Sequence, residues 1–410
     1  MKRIFHFDIK TVRNYGDTLL FEACRHVFHG FNNREEFHIA ETVNLREVVG
    51  PRLVEKINSD FDAVLVGGGG LFLSDTNPNS NSGWQWNISL TMLKRIRVPI
   101  ILFAVGNNRF IGQEDFGKLF KEHIAITVDK SIFVGLRNTG SVESIREYLP
   151  SSQRDKVNYQ PCPTTLLNFL YPREIISEII PKKSLSMQAL VGKRQNKAGF
   201  NKENIYHECS QALVDARSDE WTISTFSNAK GDDYFCEFAK NHANAQFDKL
   251  YDCKDILKPA LYFKQKSLII GMRGHAQMIP FGWGTPIISL FVHDKLRFFL
   301  EDIGHPDLMV DCREKNIASL LIEKIKYVEG NYDRIKSDFS RAQKKLFEIT
   351  INNLSEISKT MGGNGYKTFE PYTDYEIMLN NRLYFSELRI DALKEKMSGD
   401  ISNNASSDLN

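Results

Sequence analysis

Short apolar runs alternate with polar segments of helical spacing along most of the chain. The clearest instance lies in residues 268–296. Leu268, Ile269 and Ile270 form a run that stops at Gly271 and gives way at once to Arg273, Gly274 and His275. A second run over residues 287–292 ends at His293, Asp294 and Lys295. Runs of this length bounded by Gly or Pro predict buried parallel strands, with the segment between them as a crossover helix. Ligands of open α/β sheets sit outside the carboxyl ends of the strands. The cations and histidines at both ends are therefore placed to face one anionic ligand.

The same pattern runs through the first half. Residues 3–8 predict a strand. The spacing of Leu19, Leu20, Ala23 and Val27 predicts a helix over residues 18–28, with Asp17 as its N-cap. Residues 62–66 predict a buried strand running into Gly67, Gly68, Gly69 and Gly70. Four glycines there let the backbone turn and bring N–H groups against an anion or a sugar. No Gly-Lys-Ser/Thr follows, so this is neither a phosphate loop nor a dinucleotide fingerprint. Asp17, Gly68 and Gly69 are thus candidates on a ligand cleft. Asn107 joins them, just beyond the strand predicted over residues 99–105. The polar stretch 74–86 predicts a loop beside a strand end, with Trp84 and Trp86 available to stack on a sugar ring. A strand over residues 132–137 places Arg137 before a helix predicted over 141–148, with Ser141 as its cap. There its planar fork suits a phosphate or carboxylate.

The second half repeats the alternation. Strands are predicted over 185–191 and 221–226, and helices over 203–216, 234–241 and 254–266. The expected fold is α/β, with domains at 1–173 and 174–330 facing a cleft. A linker is expected within 175–195. Helical periodicity over 316–358 and 375–397 predicts a C-terminal helical extension (331–397) before a polar tail (398–410) expected to be disordered.

Composition narrows the class. At 410 residues the chain exceeds what one core usually supports, which agrees with two domains. A net charge of +2 gives no argument for nucleic acid. No apolar run reaches membrane-spanning length, and the N-terminus lacks a signal-peptide core. The six cysteines form no CxxC pair, so neither a zinc site nor a disulfide framework is expected. The expectation is a soluble cytoplasmic protein, with no metal and no cofactor.

The segments NYGDTLL (14–20), DAVLVGGGGL (62–71), PIILFAVG (99–106), GLRNTGSVESI (135–145), IIGMRGHAQMIPFGWGTPIISL (269–290) and DKLRFF (294–299) together resemble the polysaccharide pyruvyl transferase family. The resemblance implies two Rossmann-like domains in a GT-B-like arrangement. It implies transfer of a pyruvyl unit from phosphoenolpyruvate to two hydroxyls of one sugar in a cell-surface polysaccharide precursor, such as a capsule or exopolysaccharide. The product would be a cyclic ketal with release of phosphate. Carried over position by position, His275 is the reactive histidine, and Arg273, Lys295 and Arg137 bind the donor. Asp17, Gly68, Gly69 and Asn107 are assigned to the acceptor side. The acceptor is expected to be a lipid-linked or nucleotide-linked sugar. A lipid-linked acceptor would bring the protein to a membrane surface, and self-association is a further expectation. Two positions depart from the family: Asn138 stands where an aspartate is usual, and Cys162-Pro163 where Asp-Pro is usual.

The residue types suit this chemistry on their own account. A donor carrying phosphate and carboxylate on one small frame needs several fixed cations. An imidazole suits proton delivery to its methylene carbon. Two other readings share the fold: a GT-B-like glycosyltransferase using a nucleotide sugar, with Asp294 or Glu301 on the ribose, and a non-catalytic glycan-binding shell.

Overall fold

The computed structural model describes residues 1–9, 14–75, 78–172 and 183–386. Its first sheet contains β1 (Lys2–Asp8), β2 (Phe37–Asn44), β3 (Ala63–Phe72), β4 (Ile100–Asn107), β5 (Ser131–Leu136) and β6 (Val157–Tyr159), in the order β2-β1-β3-β4-β5-β6. The second contains β7 (Ser184–Gln188), β8 (Thr222–Ser227), β9 (Gln246–Lys249), β10 (Leu268–Gly271), β11 (Ile287–Phe291) and β12 (Met309–Asp311), in the order β12-β11-β10-β7-β8-β9. Every pairing is parallel. Parallel sheets are covered by helices on both faces, so their inner strands are continuous apolar runs. Residues 63–69 in β3 and 100–106 in β4 are buried throughout.

All eight inner strands coincide with the predicted ones. The four that pattern reading does not find, β2, β6, β9 and β12, are the four sheet edges. They are short or half-exposed, with burial broken by polar positions. An edge strand has one open flank, so an apolar run is not required of it.

Three local expectations change. The helix following β1 spans Tyr15–Gly30, with Asn14 as N-cap, so Asp17 lies inside the first turn rather than capping it. The helix after β5 spans Thr139–Arg146, capped by Asn138, whose Oδ1 accepts from the Ser141 amide at 2.7 Å. Ser141 is therefore capped, not the cap. The glycine run does not turn away; it continues β3 to Phe72. Gly67 (φ 136) and Gly69 (φ 118) adopt conformations closed to other residues, and a Cβ on Gly67 would lie 2.1 Å from the Phe103 carbonyl oxygen.

Two long helices follow the second sheet, Ile317–Gly330 and Tyr332–Thr360. The second returns to the first domain, where Asn353 donates to the Tyr159 carbonyl at 2.9 Å and Gln160 to Thr350 at 3.1 Å. A further helix over residues 374–386 does the same: the Tyr384 hydroxyl bonds Thr18 at 2.8 Å, and Arg34 pairs with Glu376 at 2.7 Å. Residues 387–397 of the expected extension, the tail 398–410 and residues 173–182 of the expected linker lie outside the described residues. The rest of that linker region holds β7 and a short helix, Lys193–Lys197. No helix of the described residues is long and apolar enough to cross a membrane.

Candidate active site

The two sheets point their carboxyl ends at one another, and a cavity of about 590 Å³ lies between them. All eight inner strands contribute to its wall immediately beyond their ends. The first domain supplies Ile9 after β1, Gly70 and Leu73 from the end of β3, Asn108 after β4 and Arg137 after β5. The second supplies Leu190 after β7, Asn228 after β8, Arg273 and His275 after β10, and Lys295 after β11. The order of each sheet reverses between β1 and β3 and between β7 and β10, the places where such folds open a crevice.

Arg273 is aimed by buried groups. Its Nε donates to Asp232 Oδ1 at 2.6 Å, and Asp232 is fully buried. Asp232 Oδ2 also accepts from the Asn228 and Ala229 amides, each at 3.0 Å. Gln188, at the end of β7, accepts from the Met272 and Arg273 amides at 3.1 Å, which fixes the turn after β10 across the switch point. Lys295 Nζ reaches over the cleft to Asn108 Oδ1 at 2.8 Å. His293 caps the Asp294–Asp302 helix: its Nδ1 accepts from the Lys295 amide at 3.2 Å, leaving Nε2 to donate to the Asn108 carbonyl at 3.3 Å. A further cross-domain contact joins Arg194 to Asp75 at 2.6 Å.

Arg137 differs from the other cations. It is 6 % exposed, and its Nε and Nη2 have no hydrogen-bond partner. Gly106 makes room for it, since a Cβ there would lie 2.1 Å from Arg137 Nε. A buried guanidinium left unpaired is costly. An anion entering the cavity could pair with it. Asn228 is similar in kind: it is 1 % exposed, and both polar atoms of its amide lack a partner.

His275 opens the helix His275–Gly282. Its Nε2 lies 4.0 Å from Cys162 Sγ and its Nδ1 4.0 Å from Asp17 Oδ1. Burial, and then the charges of Arg137, Lys295 and Arg273, push its imidazole down to about 3. Burial likewise pushes the Lys295 amine down to about 7, with Arg137 and Arg273 adding to the effect and Asp17 opposing it. Asp17 is raised to about 6 by burial, against the pull of Arg46, Arg273, Lys295 and Arg137. The cleft thus holds a neutral imidazole among crowded cations.

His275, Arg273, Lys295 and Arg137 line one cavity, as their positions at strand ends suggest, and Asp17, in the first turn of a helix, lines it too. The remaining candidates do not. Gly68 and Gly69 lie beneath the wall, packed on Ala104, Leu20 and Ile9, and Gly70 is the glycine that reaches the cavity. Asn107 turns into a smaller neighbouring cavity of about 290 Å³, and Asn108 faces the main one. Trp84 and Trp86 are 1 % and 0 % exposed, with Trp84 Nε1 donating to His123 at 3.0 Å. They belong to the first domain's core and are closed to a sugar. Sequence reading passed over Asp232, Asn228, Gln188 and Asn108. Asn228 and Asn108 carried a usable signal, because each lies just past a predicted strand. Asp294 and Glu301 are both engaged by Arg297, at 3.4 and 2.9 Å. Among the described residues no three His, Cys, Asp or Glu side chains come together as a metal-binding group.

The structure resembles UDP-sugar enzymes of the GT-B fold. A putative UDP-N-acetylglucosamine 2-epimerase from Listeria monocytogenes superposes with a TM-score of 0.58 at 11 % identity, covering 91 % of this chain and 99 % of that one. The S. aureus MnaA–UDP structure superposes at 0.55 with 13 % identity, covering 91 % and 100 %. At such identities the likeness speaks to the fold alone: two Rossmann-like domains across a cleft, followed by helices. No curated protein matches the chain in sequence. A family model described as polysaccharide pyruvyl transferase matches residues 14–293. That span includes Asp17, Arg137, Arg273 and His275, and the chain belongs to the polysaccharide pyruvyl transferase family.

Proposed function

We propose that the protein transfers the pyruvyl group of phosphoenolpyruvate to two hydroxyls of a sugar, forming a cyclic ketal and releasing phosphate. The observation that carries this reading is the unpaired, buried Arg137 guanidinium sharing a cavity wall with Arg273, Lys295 and His275. A donor with phosphate and carboxylate on three carbons satisfies all three cations at once. The cavity is far larger than such a donor, which leaves room for a sugar beside it.

His275 is the proton donor to the methylene carbon in this scheme. Part of what holds its imidazole neutral is the charge of three cations. A polyanionic donor neutralises those charges and raises the imidazole's affinity for a proton. Donor binding therefore arms the acid. The first sugar oxygen adds to carbon 2 as the methylene takes its proton. Phosphate then leaves with the C–O electron pair, its developing charge held by the cations, and the second hydroxyl closes the ring.

The test is phosphate release from phosphoenolpyruvate with a panel of lipid-linked and nucleotide-linked sugars, comparing wild type with His275→Ala. Acceptor-dependent release that the variant abolishes supports the reading. A melting temperature raised by UDP but not by phosphoenolpyruvate would transfer the weight to a nucleotide-sugar reaction.

A further inference from the structure

We propose that Asp17 and His275 form one acid–base pair assembled across the cleft, in which Asp17 takes the proton of the first attacking hydroxyl while His275 supplies the proton to the donor's methylene carbon. The inference rests on the function proposed above and assigns Asp17 a catalytic rather than a binding role.

Three observations carry it. Among the described residues that line the cavity, Asp17 is the only carboxylate and His275 the only histidine, and they come from opposite domains. Their facing atoms, Asp17 Oδ1 and His275 Nδ1, are 4.0 Å apart, with side-chain exposures of 18 % and 13 %. The carboxylate is oriented: Asn14 Nδ2 donates to Asp17 Oδ2 at 2.6 Å, which turns Oδ1 toward the imidazole. Gly16 lets the two elements meet, because any Cβ there would overlap the His275 ring.

The reaction needs these two groups. Two hydroxyl protons are released, one methylene carbon gains a proton, and the departing phosphate gains the other. His275 gives its proton to carbon 3 as the C2=C3 electron pair moves to that bond. The acceptor oxygen forms its bond to carbon 2 and passes its proton to Asp17. Transfer from Asp17 to His275 then resets the pair, and the second hydroxyl's proton leaves with phosphate. Lys295 also has a lowered proton affinity, but it lies at the donor's charge and is bonded to Asn108. The groups acting on the pair are Arg46, Arg137, Arg273 and Lys295, with the Cys162 thiol against the far ring nitrogen.

Titration calorimetry of phosphoenolpyruvate into the full chain at pH 7, in two buffers of different ionisation heat, reads the proton taken up on binding. Wild type is expected to take up about one and a half protons per donor, close to one at His275 and about half at Lys295, which is half free base at pH 7. Asp17→Asn removes the imidazolium's counter-charge, so uptake should fall by about half a proton or more while the share taken by Lys295 remains, and the donor binds at least as tightly because a repelling carboxylate is gone. Asp17→Glu, which keeps the charge, should retain the uptake and guards against a variant that merely misfolds. With an acceptor that wild type uses, Asp17→Asn should lower kcat by about 10² or more without raising the donor KM. Equal proton uptake in wild type and Asp17→Asn overturns the pair. Absence of donor binding by wild type overturns the donor assignment itself, a result distinct from the first.

Discussion

Gly16 and His275 touch across the cleft with no room for a side chain between them: a Cβ on Gly16 would lie 2.5 Å from the imidazole Nδ1 and 2.8 Å from the histidine Cβ. Gly16 sits within a helix, where Ala is normally better by about 0.5–1 kcal/mol. Gly16→Ala therefore separates propensity from contact. We expect the first domain to stay folded while His275 is displaced and turnover drops by about tenfold or more. Thermal melting and steady-state kinetics measure the two effects, and full activity would show that the close approach is not needed.

Lys295 should be the most reactive lysine when no donor is added. With its pKa pushed down to about 7, roughly half of it is free base at pH 7. An ordinary lysine has on the order of 10³ less. Limiting acylation at pH 7 followed by peptide mass spectrometry should label Lys295 first, and phosphoenolpyruvate should protect it. Uniform labelling of surface lysines would contradict the lowered pKa.

A histidine pair should make the fold acid-sensitive. His26 is fully buried, stacked on Tyr372 at 3.9 Å, with Nε2 accepting the Tyr372 amide at 2.7 Å. His29 accepts the Ile39 amide at 2.9 Å and is pushed down to about 3, mainly by burial; His26 lies well below its usual value for the same reason. Both are neutral when folded and bind protons readily when unfolded. Their contribution is complete above pH ~6.5 and is lost as pH falls from there toward the folded values. Denaturant midpoints between pH 7.5 and 4.5 should decline on this account, and His29→Asn should flatten the decline while lowering the pH 7.5 midpoint.

Trp84 is a stability residue. Trp84→Phe loses the hydrogen bond to His123 and some buried area, at a cost of about 1–3 kcal/mol. Acceptor KM should not move. A raised acceptor KM with unchanged stability would restore a sugar-stacking role.

Asn228 should show the opposite balance. Its backbone carries the structural contacts, donating to Asp232 and accepting from the Tyr15 amide at 2.7 Å, while its amide side chain is unpaired. Asn228→Ala removes an unsatisfied buried group, so the melting temperature should hold or rise. Substrate KM should increase, because an amide offering both donor and acceptor is lost from the cavity wall.

The inner strands of both sheets were legible because parallel strands covered on both faces must be apolar along their whole length. That property resides in a few consecutive residues, and it placed Arg137, Arg273, His275 and Lys295 at strand ends without reference to the rest of the chain. The edge strands escaped because one open flank removes the demand. The glycine run reads as a turn in sequence, because flexibility does not say what the backbone is pressed against, here the Phe103 carbonyl. Trp84 and Trp86 sit in a polar stretch, so only packing could show them buried. The site itself was decided by tertiary structure. Asp232 and Arg273 are 41 residues apart, Asn108 and Lys295 are 187 apart, and Asp17 meets His275 only when two separately built domains close on each other. Local pattern specifies which residues stand at the strand ends. The distances and shared fields that make them a site arise from the facing of two sheets.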